Sequence, residues 1–318
     1  MNRISSARAA ALPARRLGPR INKYKGFYLL FLPVLTFTVV FHYLPMFGLG
    51  YAFTDYKGIR APEFVGLQNF EKMFAAPGFW TAFRNTLYLS IVKLLLTTFL
   101  AVLVSLLLNE ITHMAFKKTA QTIIYLPHFM SWVVAASVFA LILSPSREGL
   151  VNSLLVHAGI LPSGEEIYFL GNKNWWTPVY FLVNVWKETG WQTIIFLATL
   201  SSIGPELYEA ATMDGAGRWS KMRYVTLPAL ANTIITVLIL NLAKVMNLFE
   251  SVFVMQNDAV VKQSDVLQTY IYTQTFNSGA LPNYGYTTAV GIVKSLVGCF
   301  LVLACNYASK KVRGRGII

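Results

Sequence analysis

The stretch Glu209–Pro228 reads EAATMDGAGRWSKMRYVTLP, and it decides the architecture of this 318-residue chain. It is polar, charged and interrupted by glycine, and a long apolar segment lies on each side of it. Apolar runs of roughly 20 residues cross the ~30 Å hydrocarbon core of a bilayer as helices. The stretch is therefore predicted to be a short structured connection between two membrane spans.

Local signals predict two short helices around this stretch. Pro205 suits the first helical position, and Leu207–Met213 supplies about two turns. Asp214–Gly217 contains two glycines and is predicted to break the helix. Arg218–Tyr224 is predicted to form a second short helix, roughly perpendicular to a span that begins at Leu227–Pro228. An alternative interpretation is an inert amphipathic helix at the membrane interface.

The composition predicts an all-α membrane protein. Hydrophobic residues make up 55% of the chain and charged residues only 13%, against about 25% charged in soluble domains. The apolar runs lack the alternation of barrel strands, so helices fit better. Six spans are predicted, at Phe27–Gly50, Leu87–Leu108, Ile123–Leu143, Val179–Ser201, Leu230–Met255 and Thr287–Ala308.

The net charge of +13 is unevenly distributed between the two sides of this topology. Sixteen basic residues lie on the side of both termini and of Glu209–Pro228, and seven lie on the other side. The positive-inside rule therefore places both termini and that stretch in the cytoplasm. Basic flanks of membrane spans account for the charge, so nucleic-acid binding is not predicted.

Polar residues inside the predicted spans are candidates for a substrate pathway. A lysine at mid-bilayer costs about 2.5–3.5 kcal/mol, so it should face protein or water. Lys187 and Glu188 interrupt the fourth span and, being adjacent, are predicted to find partners elsewhere. Interhelical hydrogen bonds, or contacts with a second subunit, are the alternative role for each residue. The candidates are Lys93, Lys187, Glu188, Asn241, Lys244, Asn247, Glu250 and Lys294, with Trp186 and Trp191 as candidates for stacking on a substrate.

Several kinds of chemistry are not indicated. The four histidines do not cluster at metal-ligand spacing, and two cysteines in the last span do not suggest a disulfide framework. The chain has no G-x-x-x-x-G-K-[ST] phosphate loop, so it is not predicted to hydrolyse ATP alone. A non-enzymatic chain that binds no metal or cofactor is therefore expected.

The stretch Glu209–Pro228 resembles the EAA loop of bacterial ABC-importer permeases. Glu209-Ala210-Ala211, Asp214-Gly215-Ala216 and Leu227-Pro228 match the pattern of that loop. Val225 fits its β-branched position, whereas Met222 stands where the family usually has Phe. The position between the fourth and fifth of six spans also fits.

Three further segments resemble the polysaccharide and oligosaccharide branch of sugar-importer permeases. They are Gly66–Phe70 (GLQNF), Tyr125–Val133 (YLPHFMSWV) and Trp186–Trp191 (WKETGW). The resemblance covers most of the chain from about Lys25 onward.

The resemblance implies a type I ABC importer permease fold in the inner membrane, with six transmembrane helices and both termini in the cytoplasm. It implies a basic segment at 1–26, a peripheral first helix at 27–50 and a permease core at 80–309 with a coupling loop at 204–228. It also implies two cytoplasmic ATPase subunits that use ATP and Mg²⁺, a second permease and an extracytoplasmic solute-binding protein. The residues that would contact the ATPase are Glu209, Ala210, Ala211, Asp214, Gly215 and Ala216.

The substrate class and two rival functions stay open at this point. Intramembrane lysines outnumber glutamates, which suggests an anionic oligosaccharide such as a uronate, and some permeases that the chain resembles serve alginate import. An ion-coupled secondary transporter would show inverted repeats, and no convincing repeat is present. A non-transporting membrane scaffold would leave the lysine-bearing spans unexplained.

Overall fold

The computed structural model describes residues 24–146, 149–277 and 281–313. Within these ranges the chain is helical apart from connections and an isolated bridge between Thr54 and Phe64. The chain divides after Gly50 into two compact units. The α-helices are α1 Lys25–Thr38, α2 Gln68–Ala75, α3 Pro77–Glu110, α4 Met114–Tyr125, α5 Trp132–Ile142, α6 Leu150–His157, α7 Trp176–Ser201, α8 Pro205–Met213, α9 Arg218–Lys221, α10 Leu227–Leu242, α11 Glu250–Phe253, α12 Val261–Ser264, α13 Leu267–Phe276 and α14 Tyr284–Arg313.

Four helical stretches among the described residues are long and apolar enough to cross a membrane. They are Lys25–Phe53, Pro77–Glu110, Arg218–Leu242 and Tyr284–Lys311. The bent pair of α4 and α5 makes a fifth if it forms one span. Although α7 is 26 residues long, Asn184, Lys187 and Glu188 dilute its apolar character, and it does not join this group. The count of six spans therefore stays a prediction.

The predicted span Ile123–Leu143 is not one straight helix. The chain continues from α4 as a 3₁₀ turn at Leu126–Phe129, and α5 then leaves at 103° to that direction. Pro127 lacks a backbone N–H and favours such a break. Ser131 caps the new helix, since its hydroxyl accepts a hydrogen bond of 3.2 Å from the N–H of Val134.

The predicted span Leu230–Met255 is also shorter than expected. The helix α10 ends at Leu242, and turns and extended chain follow until α11 begins at Glu250. A carbonyl freed by this ending finds a partner on α3, because the Ser90 hydroxyl donates to the oxygen of Val245 at 2.7 Å. Residues 243–249 of the predicted span therefore form a non-helical segment held by tertiary contacts.

The predicted perpendicular helix at Arg218–Tyr224 is wrong. The chain runs as one helical stretch from Arg218 to Leu242, with a π turn at Met222–Thr226. Pro228 explains the wider turn, since a proline ring clashes with the carbonyl four residues earlier in a regular α-helix. One extra residue per turn removes that clash while the helix continues.

The helix α7 is the centre of the second unit and packs most extensively against α3. It passes without a break through Lys187 and Glu188, so the expected interruption is not one in the backbone. Gly190 lies against the end of α4, where a Cβ would overlap the carbonyl oxygen of Ile124. The absence of a side chain at Gly190 therefore allows the close approach of these two helices.

A substitution of Gly190 tests this close approach. We expect Gly190→Ala to destabilise the chain by about 1–3 kcal/mol, because the added methyl group forces α4 and α7 apart. Thermal unfolding of the purified protein in detergent measures the effect. Gly291→Ala is the matched control, since a Cβ at this helical glycine of α14 has open space around it. Equal unfolding temperatures for the two variants would contradict the packing argument.

Candidate functional site

A cavity of about 650 Å³ lies in the second unit and is lined mainly by polar and aromatic side chains. Its walls come from α3, from the bend between α4 and α5, from α7, and from the non-helical segment after α10. The predicted spans are therefore interrupted at two places, the bend between α4 and α5 and the segment after α10, and both places border this cavity. Non-helical backbone at membrane depth is tolerated where it is buried in protein or lines a cavity, and this arrangement satisfies that condition.

A charged cluster occupies the wall formed by α7 and the bend. The Lys187 ammonium donates a hydrogen bond of 2.9 Å to the backbone carbonyl of His128 and lies 3.8 Å from a carboxylate oxygen of Glu188. The other carboxylate oxygen of Glu188 lies 3.3 Å from Nδ1 of His128, without the geometry of a hydrogen bond. The expectation of a partner on another element is confirmed for Lys187, and the two adjacent side chains also contact each other.

Two further lysines line the cavity. Lys93 on α3 is half-buried, and Lys244 is exposed in the turn after α10. Among the described residues neither lysine forms an ion pair. Amide and hydroxyl groups lie between α3 and α7, where the Thr98 hydroxyl donates to the side-chain oxygen of Gln192 at 3.2 Å. The cavity lining therefore combines these two lysines and the carboxylates of Glu188 and Glu250 with neutral hydrogen-bonding groups.

Aromatic rings form part of the lining. The ring of Trp191 stacks on the imidazole of His128, with centroids 4.9 Å apart and planes inclined by 11°. Trp191 remains 47% exposed. Trp132 and Phe249 also border the cavity. Stacked rings beside amides, hydroxyls and cations are the surface expected for a sugar, which offers an apolar ring face and polar edges.

Seven of the predicted pathway residues line this cavity. Asn241, Lys244, Asn247 and Glu250 were expected on one helix, but only Asn241 lies on α10, and Glu250 opens α11. The non-helical turn nevertheless brings all four to the cavity. The seven are Lys93, Glu188, Trp191, Asn241, Lys244, Asn247 and Glu250.

Three predicted pathway residues do not line it. Lys187 is buried behind His128. Trp186 packs edge-on against Phe139, with ring centroids 5.2 Å apart. Lys294 on α14 donates 2.9 Å hydrogen bonds to the side chains of Asn247 and Gln268, outside this cavity. Lys294 therefore supports the cavity wall through Asn247.

Sequence reasoning missed several lining residues. His128 was considered only as a metal ligand, and Trp132 lies within the quoted Tyr125–Val133 motif without a role assigned to it. Thr97 and Gln192 each stand beside another polar residue, Thr98 and Thr193, and this polarity within a predicted span is the one signal that could have indicated them. Among the described residues, no group of acidic, histidine or cysteine side chains is arranged to hold a metal ion.

The segment that resembles the EAA loop is a separate, exposed element. It comprises α8 and the turn to α9, and no residue of α8 is buried. Gly215 has a φ of +78°, and the N–H groups of Gly215 and Ala216 donate to the carbonyls of Thr212 and Ala211. This is a Schellman motif, which requires a left-handed residue and so favours glycine. Glycine at position 215 therefore ends α8 where the sequence predicted.

One tertiary contact links α8 to the helix that follows. The hydroxyls of Tyr208 on α8 and Thr226 in the π turn lie 3.1 Å apart. The six residues predicted to contact an ATPase lie within or directly after α8. Glu209, the first of them, is exposed. A displacement of α8 can thus reach α10 through this hydrogen bond and the connecting turn.

Known proteins resemble this chain over most of its length. A family model described as "Binding-protein-dependent transport system inner membrane component" matches residues 98–314. The polygalacturonan/rhamnogalacturonan transport system permease protein YteP of Bacillus subtilis (strain 168) is 40% identical, over 95% of this chain and 93% of that protein.

Two solved structures also match, each with 34% sequence identity. One is a bacterial ABC transporter involved in the import of the acidic polysaccharide alginate, with a TM-score of 0.85 over 94% of this chain and 100% of that chain. The other is a bacterial alginate ABC transporter in complex with an alginate pentasaccharide-bound periplasmic protein, with a TM-score of 0.86 over 95% and 100% of the two chains.

The contact between Lys187 and Glu188 is open to a direct test. We expect Glu188→Gln to lower the stability of the chain by roughly 1–3 kcal/mol, because it removes a negative charge beside a buried ammonium group. Glu250→Gln is the control, since Glu250 is exposed in the same lining. Thermal unfolding in detergent measures both. A Glu188→Gln variant as stable as Glu250→Gln would show that this contact does not stabilise the fold.

Proposed function

We propose, from the premise that this chain belongs to the family of binding-protein-dependent transport system inner membrane components, that the cavity is its share of a pathway for an acidic oligosaccharide. The chain is a permease subunit of a sugar or polysaccharide ABC importer in the cell membrane. It is not an enzyme, and ATP hydrolysis belongs to a separate subunit.

The charge of the cavity carries the proposal of an acidic substrate. Glu188 is engaged by Lys187 and approached by His128, so its negative charge is balanced within the chain. Among the described residues Lys244 has no carboxylate within ion-pair distance, and Lys93 has only the more distant charge of Glu188, so both remain for the substrate. Exposed Lys244 and exposed Glu250 are both screened by water, so half-buried Lys93 contributes the less screened charge. The relatives add support, because alginate and polygalacturonan are both polymers of uronic acids.

The membrane topology is proposed to have six spans with both termini in the cytoplasm. The helix α7 supplies the sixth crossing, and its 26 residues extend over about 39 Å. Its polar side chains face the cavity or other helices, so the lipid does not receive them. The excess of basic residues beside both termini and α8 supports this orientation.

The partners are proposed to be a second permease, two ATPase subunits and an extracytoplasmic solute-binding protein. The cavity is open along the exposed side of Lys244 and Asn247, as expected for half of a pathway that a second permease completes. A solved relative that is in complex with a periplasmic protein supports the binding-protein partner. The ATPases bring ATP and Mg²⁺, and no cofactor is assigned to this chain.

The coupling role is proposed for Glu209, Ala210, Ala211, Asp214, Gly215 and Ala216. The exposed helix α8 presents the first three, and the Schellman motif at Gly215 fixes how the chain leaves it. The small side chains of Ala210 and Ala211 allow close approach of another protein, while Glu209 offers a carboxylate to a donor group.

The substrate proposal predicts a charge-dependent loss of uptake. We expect Lys93→Gln combined with Lys244→Gln to reduce uptake of uronate oligosaccharides at least ten-fold and to change uptake of neutral oligosaccharides of equal length less than two-fold. The physical reason is the loss of both cations that face the substrate carboxylates. Proteoliposomes containing the complete importer and its binding protein provide the measurement.

The control for that experiment is Lys118→Gln, which removes an exposed lysine of α4 outside the cavity lining. Uptake of neutral sugars alone by the unmodified importer would refute the acidic substrate. Equal loss of both sugars in the double variant would refute the role of these two lysines.

The coupling proposal predicts the loss of a subunit. We expect Glu209→Ala combined with Gly215→Pro to abolish co-purification of the ATPase, because the variant loses the carboxylate and proline cannot adopt the φ of +78° at position 215. Affinity purification of the tagged chain from membranes measures this. Lys118→Gln, at an exposed position of α4 outside the coupling loop, is the control. An intact complex in the double variant would contradict the coupling role.

A further inference from the structure

We propose that Lys187 is a positioning residue that holds the bend between α4 and α5 in place, and with it one wall of the cavity. The inference rests on the proposed function, because it assigns a task within the same pathway. Lys187 was predicted as a pathway residue on its charge alone. Its surroundings in the structure indicate a different task.

Lys187 has little capacity left for a substrate. It is only 4% exposed and does not border the cavity. Its ammonium donates to the carbonyl of His128, contacts the carboxylate of Glu188 and lies 5.1 Å from the centroid of the Trp132 ring. These three contacts surround the charge with an acceptor, a counterion and an aromatic face, which together offset its removal from water.

The bend needs such a partner. A chain that leaves helical geometry frees backbone carbonyls, and an unpaired carbonyl costs several kcal/mol in an apolar medium. The carbonyl of His128 belongs to the 3₁₀ turn directly before the bend, and Trp132 is the first residue of the helix after it. One ammonium therefore contacts the chain on both sides of the 103° change in direction.

Backbone packing brings the lysine to this point. Gly190 lies one turn after Lys187 on the same face of α7, and its lack of a side chain allows contact with the carbonyl of Ile124. The helix α7 thus approaches both the segment before the bend and the bend itself. The lining side chains of His128 and Trp132 depend on this contact for their positions.

The test compares two variants. Lys187→Met keeps an unbranched side chain of similar length but removes the hydrogen-bond donors, whereas Lys187→Arg keeps a charged donor. The first readout does not use a substrate. A Met130→Cys reporter at the bend is introduced after Cys299 and Cys305 are changed to serine, and its labelling by a membrane-impermeant maleimide is timed in the assembled importer. We expect labelling to be at least five-fold faster with Lys187→Met and within two-fold of the parent with Lys187→Arg.

The second readout is uptake in proteoliposomes. We expect Lys187→Met to reduce uptake of every transported oligosaccharide by a similar factor, about ten-fold, and Lys187→Arg to restore most of it. Unchanged labelling, or a loss confined to acidic sugars, would overturn the positioning role. If Lys187→Met does not assemble, Lys187→Gln, which keeps a donor with shorter reach, replaces it under the same criteria. Failure of the parent importer to take up acidic sugars would refute the proposed substrate but would leave the labelling result unaffected.

Discussion

A bilayer offers no water to backbone groups, and this constraint governs the structure of the permease core. Every helix break at membrane depth has to place its freed carbonyls against another donor. The two breaks, after Phe129 and after Leu242, both do so. Ser90 donates to the carbonyl of Val245, and Lys187 donates to that of His128. The breaks therefore create side-chain positions that a straight helix does not have, without leaving these backbone groups unpaired.

The same constraint explains why the cavity lies where it does. The two breaks bring polar side chains to the cavity, and α3 and α7 supply the remaining walls. Polar residues that would be costly in lipid are thereby gathered around one space. The proposed sugar pathway needs many weak hydrogen-bonding and stacking sites, and the lining of this cavity offers such groups.

The sequence predicted the helices much better than it predicted their breaks. Long apolar runs identify α3 and α14, because hydrophobic length is a property of the run itself. The end of α10 has no such signal, since Ala243 and Lys244 are good helix formers and the turn depends on Ser90, 155 residues away. The bend had a local signal in Pro127 and Ser131, yet its 103° angle depends on contacts with α7.

Parts of the candidate site could likewise be predicted from the sequence, and other parts could not. The helix α8 and its end at Gly215 follow from local rules of helix capping, so the predicted exposed loop is found. Residue type marked Lys93, Lys187 and Lys244 as unusual, but type alone does not tell which of them reaches the cavity. Burial separates Lys187 from the others, and burial depends on helix packing that one sequence does not display.

Chain order matters for how α7, the proposed sixth span, would enter the membrane. A helix that carries both Lys187 and Glu188 has a smaller driving force for insertion than α3. The partners of Lys187 and Gln192, which are the carbonyl of His128 and the hydroxyls of Thr97 and Thr98, precede α7 in the chain, whereas Tyr180 and Thr199 pair with Ser251 and Thr233, which follow it. The groups of His128, Thr97 and Thr98 are therefore synthesised before α7 leaves the ribosome. Insertion of α7 is then a folding step with its neighbours, and a defect in α4 would appear as a topology error in a later helix.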